Sequence, residues 1–358
     1  MQTPAETARA WVDIDRGALI ANAKTLAAVS RRPLLPMVKA DGYGLGAVEV
    51  CRTLEAVAPW GFGVATSHEG AALRAAGIRR PIIVFTPLQP SDVESCLAAG
   101  LRPTIGHADA LEAWLTRSES PFHLEIDTGM GRAGFRAEEI ADCGSVRRRV
   151  SDAPGWEGVF THFHSAESNP SSVATQWARF QHTLALFPRR PALIHAANSG
   201  AALLGEAYAA DLIRPGIFLY GGAAGTGYTP LPVARLHARV VAVRTVSRGE
   251  TVSYGADWTA PANATIATLG IGYADGVHRS LGHGGRVEIG ADLMPIVGRV
   301  TMDMTMIATS SPVHHGDIAT IFGGRISLDA QASAAGTVSY ELLTSLGGRV
   351  IRRYADHS

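Results

Sequence analysis

Residues 35–46 read LPMVKADGYGLG: an apolar segment ends on Lys39 and continues directly into a glycine-rich turn that contains Tyr43. A lysine at the carboxyl end of a buried strand enters a pocket rather than water, and partial desolvation lowers the pKa of its amine enough to make it nucleophilic. Lys39 is therefore a candidate for Schiff-base chemistry. A lone lysine more often does no more than end a strand, so the rest of the chain has to decide between the two interpretations.

Apolar segments of this kind occur eight times in the first two thirds of the chain. The stretches between them, such as HEGAALRAAG and HADALEAWLTR, carry alanine and leucine at three- and four-residue spacings, with glycine or proline near many ends. Eight strands that alternate with helices predict a (β/α)8 barrel of the TIM type rather than a doubly wound sheet. The predicted strands are residues 34–38, 61–65, 81–85, 101–105, 122–126, 158–163, 192–195 and 211–214.

The last third of the chain has a different pattern. From about residue 231, short segments rich in valine, isoleucine and threonine, such as RLHARVVAVRTV and TIATLGIG, are separated by glycine, aspartate and proline. This pattern predicts a C-terminal antiparallel β-domain, which makes the chain an α/β protein with two domains. The predicted division is a barrel at residues 10–230 and a β-domain at residues 231–358, which residues 1–10 are expected to join.

The 358-residue chain has the composition of an ordinary enzyme. Lysine plus arginine and aspartate plus glutamate number 32 each, which argues against nucleic acid or a membrane surface as the main partner. Three cysteines without CxxC spacing indicate reduced thiols, and the sequence has neither the pattern of a signal peptide nor that of a membrane span. A cytoplasmic protein is expected.

Polar side chains stand where the predicted strands end. The carboxyl ends of barrel strands form one rim, and that rim carries the active site of such barrels, so these side chains are expected to meet. Any one of them is usually a surface charge or a core group, but five strand ends with such residues favour a site. The residues are Lys39; Glu125, Asp127 and Arg132; His162 and His164; Asn198 and Ser199; and Arg214.

Two other kinds of site are disfavoured by their context. Gly129, Gly131 and Gly134 spell GxGxxG, but the strand before them carries Glu125 and Asp127 and lies fifth in a series, unlike a dinucleotide-binding fingerprint. The two histidines of THFH are two residues apart in a strand, and another pair is adjacent in a loop. No metal site is predicted.

Nine motifs together resemble those of the alanine racemase family, fold-type III enzymes that use pyridoxal 5′-phosphate (PLP). They are VKADGYGLG, EIDTGMGRAGF, THFHSAE, HAANS, IRPGIFLYG, SYGADW, GIGYADG, GRVTMDM and SYELL, in the family's order and over nearly the whole chain. The resemblance implies an N-terminal α/β barrel, a C-terminal β-domain and a head-to-tail homodimer with shared active sites. It also implies racemisation of L-alanine and D-alanine, with D-alanine supplied for peptidoglycan.

The resemblance assigns catalytic roles to four residues. Lys39 would hold the cofactor covalently and act as the base on one face of the substrate α-carbon, and Tyr273 of the other subunit would be the base on the opposite face. Arg214 would face the pyridine nitrogen. Because an arginine keeps its proton, the ring is a weaker electron sink than one paired with an acid, which disfavours decarboxylation and transamination. His162 would link Arg214 to Tyr273.

Binding roles follow from the same resemblance. The phosphate would be held by hydroxyl groups and by backbone amides after the seventh and eighth strands, where barrels commonly bind phosphate. The implied cofactor-binding residues are Lys39, Tyr43, His162, Ser199, Arg214, Gly216 and Ile217. Arg132 and the Met302 amide would contact the substrate carboxylate, with Asp303 at the entrance.

Three positions depart from the family's pattern. Many relatives have a carbamylated lysine seven residues before the arginine of TGMGR, where this chain has Glu125, a natural carboxylate expected to orient Arg132 directly. A tyrosine near the end of some relatives, which contacts phosphate, aligns with Gly347 or Gly348. The aromatic gate of some members is replaced near Arg286.

Other functions are compatible with parts of this pattern. A racemase of the same architecture that prefers serine or basic amino acids is the nearest alternative. A non-catalytic PLP-binding barrel protein lacks the second domain, and fold-type III decarboxylases usually place an acid where this chain has Arg214.

Overall fold

The structure, a computed structural model, describes residues 7–225 and 227–356. The first two thirds of the chain form a parallel β-barrel, and six of its strands each pair with the next in chain order. A two-residue strand, Phe135–Arg136, is added beside the fourth of these six. The six strands are Phe62–Val64, Ile82–Pro87, Arg102–Ile105, Phe122–Asp127, Trp156–Phe160 and Leu193–His195.

The first and eighth predicted strands close the barrel through single bridges. Leu34 pairs in parallel with Ile213, and Met37 pairs in parallel with Gly63. These segments do not form longer ladders because prolines such as Pro36 have no amide hydrogen to donate. The circle of eight strand segments confirms the predicted fold class.

Helices follow the barrel strands where the alanine- and leucine-rich stretches predict them. Thr66 and Glu69 form a capping box at the start of one helix, which fixes where it begins. The stretch at residues 136–150 is two helices, since the chain breaks at Cys143. The barrel helices are Arg16–Ser30, Ala47–Leu54, Ser67–Ala75, Val93–Ala98, Ala108–Leu115, Ala137–Asp142, Gly144–Asp152, Pro170–Leu184 and Ser199–Ala202.

The strand Ala10–Asp15 lies in the second sheet, although the predicted boundary places these residues with the barrel. It pairs antiparallel with Ala234–Val246 and parallel with Ile351–Ala355. A strand with a neighbour on each side satisfies its backbone groups, and its buried side chains join the core of that sheet. The first barrel element is therefore the helix that begins at Arg16. Residues 1–6 of the predicted joining segment lie outside the described residues.

The β-domain is organised around Ala234–Val246, whose buried and exposed side chains alternate in its first half. This long strand pairs with Ala10–Asp15 and Ile318–Phe322 in its first half and with Ala264–Leu269 in its second. The remaining strands are Thr251–Val252, Trp258–Thr259, Arg286–Ile289, Asp292–Pro295, Thr305–Thr309 and Ile351–Ala355, and two helices, Leu328–Ala334 and Ser339–Thr344, were not expected from the sequence.

One apolar core extends through both domains. It includes Ile14 and Leu236 of the second sheet together with Phe122 and Val159 of the barrel, all buried. The two domains are therefore packed against each other through a shared core, which gives the C-terminal helices fixed positions beside the barrel. None of the helices in the described residues is long and apolar enough to cross a membrane.

Candidate active site

Lys39 is followed by one turn of left-handed backbone. Ala40, Asp41, Gly42 and Tyr43 have φ angles of 52°, 53°, 63° and 55°. The left-handed conformation costs about 1–2 kcal/mol for each residue that has a Cβ atom, and three of these four have one. The turn reverses the chain so tightly that the Lys39 amine and the Tyr43 phenol both line one cavity.

Hydrogen bonds from outside the turn hold this strained backbone. The Glu69 carboxylate accepts from the amides of Ala40 and Ala65, each at 2.7 Å. Asp41 Oδ1 accepts from the Ala47 amide at 2.9 Å, at the start of the next helix. Glu69 is itself held by the capping box of its helix, so the helix after the second strand segment supports the turn after the first.

The cavity lies at the carboxyl end of the barrel strands and brings together most of the predicted site residues. Asn198, which was also expected on the rim, contributes to its walls, as do Met37, Phe85 and Tyr340, to which sequence reasoning gave no role. The predicted residues that line it are Lys39, Tyr43, Arg132, His162, Ser199, Arg214 and Gly216. Ile217 is buried directly after Gly216, at the start of a short helix.

One end of the cavity has the groups that a phosphate needs. Ser199 Oγ accepts from the Gly216 amide at 2.9 Å, and the Tyr43 ring stacks on Tyr220 with centroids 4.4 Å apart. A Cβ atom at Gly216 would lie 2.4 Å from Tyr43 Oη, so only glycine permits this approach. Burial raises the pKa of Tyr43, which keeps its phenol protonated and able to donate. Two hydroxyl groups beside the backbone of Gly216 fit a phosphate ester.

At the other end, two arginines act on the lysine, the buried Arg214 and the exposed Arg132. Burial lowers the pKa of the Lys39 amine, and Arg132 and Arg214 lower it further, while Glu69 opposes the shift. A larger fraction of Lys39 is therefore neutral and nucleophilic than in water. Arg214 is 3% exposed and donates to the carbonyl oxygens of Thr161 and Ala196 at 2.8 and 3.1 Å.

His162 is held as a neutral ring by Arg214. Arg214 Nη2 donates to His162 Nδ1 at 3.3 Å, and since an arginine can only donate, Nδ1 carries no proton. Burial, together with Arg214, Arg132 and Lys39, lowers the pKa of His162 to about 3. The proton of the neutral ring is therefore on Nε2, which remains available as a donor.

Glu125 stands close enough to feel the charges of the cavity but makes no direct ion pair with Arg132 among the described residues. Burial raises the pKa of the Glu125 carboxyl to about 7, although Arg132 and Arg214 oppose the shift. Its Oε2 atom is buried without a hydrogen-bond partner. The loop that carries Arg132 is shaped instead by Asp127, whose carboxylate accepts from the amides of Met130 and Gly131 at 2.8 and 3.0 Å.

Tyr273, Met302 and Asp303 lie outside the cavity, on the exposed surface of the β-domain. Tyr273 is 45% exposed and Met302 is 52% exposed, high values for large apolar side chains. The Tyr273 amide donates to the Thr301 carbonyl oxygen at 2.9 Å, and the Ala274 amide donates to that of Met302 at 3.1 Å. The two loops therefore form one unit.

Asp275 anchors this unit. Its side chain is fully buried, and Oδ1 accepts from Arg9 Nη2 at 2.8 Å and from Arg349 Nε at 2.9 Å. Oδ2 accepts from the Gly272 amide at 3.0 Å, directly before Tyr273. Arg349 also pairs with Asp303 at 2.7 Å. The positions of Tyr273 and Asp303 are thus tied to the same buried carboxylate.

Comparisons with known proteins identify this arrangement. Residues 14–224 match the model of the alanine racemase N-terminal domain, and residues 233–354 match that of the alanine racemase C-terminal domain. The chain belongs to the alanine racemase family. The alanine racemase of Geobacillus kaustophilus is 37% identical over 96% of this chain and 93% of its own, and that of Deinococcus radiodurans is 37% identical over 96% and 99%.

Solved structures agree over the whole length. The alanine racemase from E. faecalis superposes with a TM-score of 0.90 at 32% identity, covering 97% of this chain and 98% of that one. The alanine racemase from Bartonella henselae, solved with covalently bound pyridoxal phosphate, has a TM-score of 0.90 at 30% identity, covering 97% and 100%. The resemblance read from the nine motifs is confirmed.

The structure also clarifies two of the departures from the alanine racemase pattern. A Cβ atom at Gly347 would lie 2.4 Å from the Ala274 carbonyl oxygen, whereas Gly348 has open space around it. A side chain fits at the second position alone. A second phenol lines the cavity with that of Tyr43: it belongs to Tyr340, whose Oη donates to Glu167 Oε1 at 2.8 Å. Arg286 begins a strand and is exposed there.

The sequence interpretation named Asn198 only as a rim residue and passed over Tyr340, Glu69 and Asp275. Tyr340 is part of the SYELL motif and Asp275 of GIGYADG, so the motifs contained them without showing their contacts. Glu69 had a visible signal as the last residue of the capping box that starts at Thr66. That box indicates a helix start, not support for a distant turn.

Replacing Glu69 with alanine is expected to loosen the turn after Lys39. The amides of Ala40, in the turn, and of Ala65 lose their acceptor, which lowers the free energy of unfolding by about 1–3 kcal/mol. The cofactor affinity falls as well, since Lys39 and Tyr43 lose their fixed positions. Urea unfolding and titration of the bound-cofactor absorbance measure the two effects. Glu49→Ala, which removes an exposed pair with Arg52, is the control, and equal effects of both variants would contradict the role of Glu69.

Proposed function

We propose that the protein interconverts L-alanine and D-alanine with PLP held on Lys39, in active sites that two copies of the chain share. The observation that carries the proposal is the Lys39 amine, whose pKa is lowered by burial, in one cavity with the Tyr43 and Ser199 hydroxyl groups and the buried Arg214. Two relatives support it. The Bartonella henselae enzyme contains covalently bound pyridoxal phosphate, and the Bacillus anthracis enzyme was solved with bound L-Ala-P.

Each part of the cofactor has matching residues. Tyr43 and Ser199 supply hydroxyl groups for the phosphate, beside the backbone amides of Gly216 and Ile217. Lys39 supplies the covalent anchor. When bound, PLP supplies an electron sink that acidifies the α-proton of the amino acid.

Arg214 sets the strength of that sink. Its guanidinium faces the pyridine nitrogen in the proposed arrangement and donates a hydrogen bond without giving up its proton. Burial lowers the pKa of Arg214, but the acceptors on all sides keep it charged. A fixed cation at this position favours return of the α-proton over reactions that need a stronger sink.

Proton transfer needs one base on each face of the substrate α-carbon. Lys39 Nζ takes or returns the proton on one face, and Tyr273 Oη of the other copy does so on the opposite face. The Nε2 hydrogen of His162 is the donor available to the Tyr273 oxygen, since Arg214 occupies Nδ1. A hydrogen bond of this kind stabilises the phenolate that Tyr273 must become.

Substrate binding is assigned to Arg132, the Met302 amide and Asp303. Arg132 lines the cavity, and its guanidinium suits a carboxylate. Glu125 interacts with Arg132 electrostatically, from a buried position, since no ion pair joins the two side chains among the described residues.

A homodimer is proposed because the second base lies on a different surface from the first. Tyr273 does not line the cavity of its own chain, and it is exposed together with Met302 and Met304. Exposed apolar residues in one area mark an interface. A head-to-tail dimer would cover this surface and place Tyr273 at the cavity of the other copy.

A cytoplasmic location and a role in supplying D-alanine for peptidoglycan are part of the proposal. Cys51, Cys96 and Cys143 are all unpaired, which is typical of a reducing compartment.

Replacing Tyr273 with phenylalanine is expected to leave one of the two bases. Racemisation falls by about two orders of magnitude or more, since general bases contribute about 10²–10⁴-fold. Exchange of the α-proton with deuterium oxide continues for the enantiomer served by Lys39 and stops for the other. Proton NMR of L- and D-alanine measures both exchanges.

Tyr208→Phe is the matched control, since Tyr208 is a half-buried barrel tyrosine packed against Phe163 and away from the cavity. Equal loss of exchange for both enantiomers in the Tyr273 variant would argue against two bases on opposite faces.

Mixing two inactive variants tests the shared sites. A Lys39→Ala chain and a Tyr273→Phe chain form mixed dimers in which one site has both bases and the other has neither. With random pairing, about a quarter of the wild-type activity is expected to return. Activity is assayed after unfolding and refolding the variants together, and separately refolded variants serve as the control. Absence of any recovery would show that each chain carries its own complete site.

Alanine is expected to have the highest kcat/KM in a panel that includes serine, lysine and arginine. A methylene more or less changes selectivity by about 10–200-fold in an apolar pocket, so the preference is measurable. Chiral chromatography of each reaction gives the values. A higher kcat/KM for serine or a basic amino acid would establish the alternative racemase. The non-catalytic PLP-binding barrel protein is disfavoured because it lacks the second domain, whereas the β-domain of this chain matches the family's C-terminal model.

A further inference from the structure

Arg214 is the end of a continuous line of buried hydrogen bonds that crosses the barrel. Arg214 Nη1 lies 2.9 Å from His195 Nδ1, and His195 Nε2 lies 2.8 Å from His123 Nδ1. His123 Nε2 lies 3.1 Å from Glu157 Oε2. Arg102 then holds Glu157 with two contacts, at 2.5 and 3.2 Å. The line connects the cofactor cavity with the opposite end of the strands.

The chemistry of the two ends determines where every proton in the line lies. Arg214 can only donate, so His195 Nδ1 accepts and the proton of neutral His195 is on Nε2. That proton is donated to His123 Nδ1, which places the proton of His123 on Nε2. The last acceptor is the Glu157 carboxylate, which the two contacts from Arg102 keep charged. All donors therefore point from Arg214 towards Glu157.

The surroundings favour neutral histidines and a charged carboxylate. Burial lowers the pKa of both His195 and His123, and neither ring is exposed. Burial alone would raise the pKa of Glu157, but the hydrogen bonds from His123 and Arg102 outweigh it and lower the pKa to about 2. The line thus has two fixed charges, one at each end, and two neutral rings between them.

Packing leaves the rings no alternative position. His195 stacks on Phe160 at 5.0 Å, and Phe160 also covers the Arg214 guanidinium at 5.1 Å. The strand residue beside His123 is Gly158, where a Cβ atom would lie 2.2 Å from His123 Nδ1. Glycine at this position makes room for the ring that continues the line.

We propose that Glu157 is a positioning residue for the reaction: through His123 and His195 it fixes the tautomers of both rings and thereby the direction of Arg214 towards the cofactor. The inference rests on the proposed function for the role of Arg214 at the pyridine nitrogen. It adds that a carboxylate at the far end of the barrel is needed for that role. Without Glu157, His123 has no acceptor for its Nε2 hydrogen, so its proton can lie on either ring nitrogen. His195 Nε2 then no longer faces a nitrogen that is always an acceptor.

The proton positions are measured directly by nitrogen NMR of the cofactor-free protein with labelled histidine. Both rings are expected to be neutral with the proton on Nε2 between pH 6 and 9, and single histidine variants assign the signals. Glu157→Ala is expected to introduce the Nδ1-protonated form of His123, and Glu157→Gln, which keeps an oxygen acceptor, to retain the Nε2 form. A charged ring, or an Nδ1 proton on either ring in the unchanged protein, would overturn the proposal.

Kinetics of the loaded enzyme measure the consequence. Glu157→Ala is expected to lower kcat by about 10–100-fold, as loss of an orienting carboxylate does elsewhere, with the KM for alanine nearly unchanged because Arg132 is not disturbed. Glu157→Gln should recover most of this loss. Gly158→Ala, which changes no charge but displaces His123, should reproduce the effect of Glu157→Ala.

Glu55→Ala is the matched control, since Glu55 pairs with Arg80 at 2.7 Å in the barrel without contacting the line. Thermal unfolding of each variant separates misfolding from mispositioning. If Glu157→Ala matches Glu55→Ala in kcat and in the histidine signals, the proposal fails. If the unchanged protein has no racemase activity, the proposed function fails, while the NMR result still decides whether Glu157 sets the tautomers.

Discussion

The left-handed turn at Ala40, Asp41, Gly42 and Tyr43 is the constraint on which the site depends. It is energetically unfavourable, and it persists because the Glu69 carboxylate and Asp41 satisfy the backbone around it. The turn places the Lys39 amine, the proposed anchor, and the Tyr43 hydroxyl, a proposed phosphate ligand, on the wall of one cavity. Strain at this point is the cost of bringing two functional groups four residues apart in the chain into one cavity.

The barrel and the β-domain have complementary tasks. The barrel forms the cavity proposed for the cofactor, and the buried Arg214 is central to it because it contacts both His162 and His195. The β-domain presents Tyr273 on its surface, held by the buried Asp275. Burial serves the group whose charge must not change, and exposure leaves Tyr273 able to reach another copy in the proposed dimer. Packing through one continuous core keeps the two domains in a fixed relation.

Much of the barrel could be read from the sequence because its signals are local. Six of the eight segments form strands where alternation with helices predicts them, and the rim residues follow from strand ends. The segments that include Leu34 and Ile213 form single bridges only, since proline removes donors that a ladder needs. The strand Ala10–Asp15 could not be assigned, because its partners lie more than 200 residues away along the chain. Sequence periodicity contains no information on which distant strand completes a sheet.

By itself the sequence determined the barrel, the β-domain, the family and the identity of most of the residues that meet in the cavity. Lys39, Tyr43, Ser199 and Arg214 are recognisable because each stands at a strand end within a motif. The tertiary structure alone decided how they are held: the reversed turn, the support from Glu69, the exposure of Tyr273 and the line from Arg214 to Glu157. The physical reason is that backbone strain, burial and hydrogen-bond direction arise from contacts between segments far apart in the chain. Residue spacing reflects only the interactions between residues that are close together in the chain.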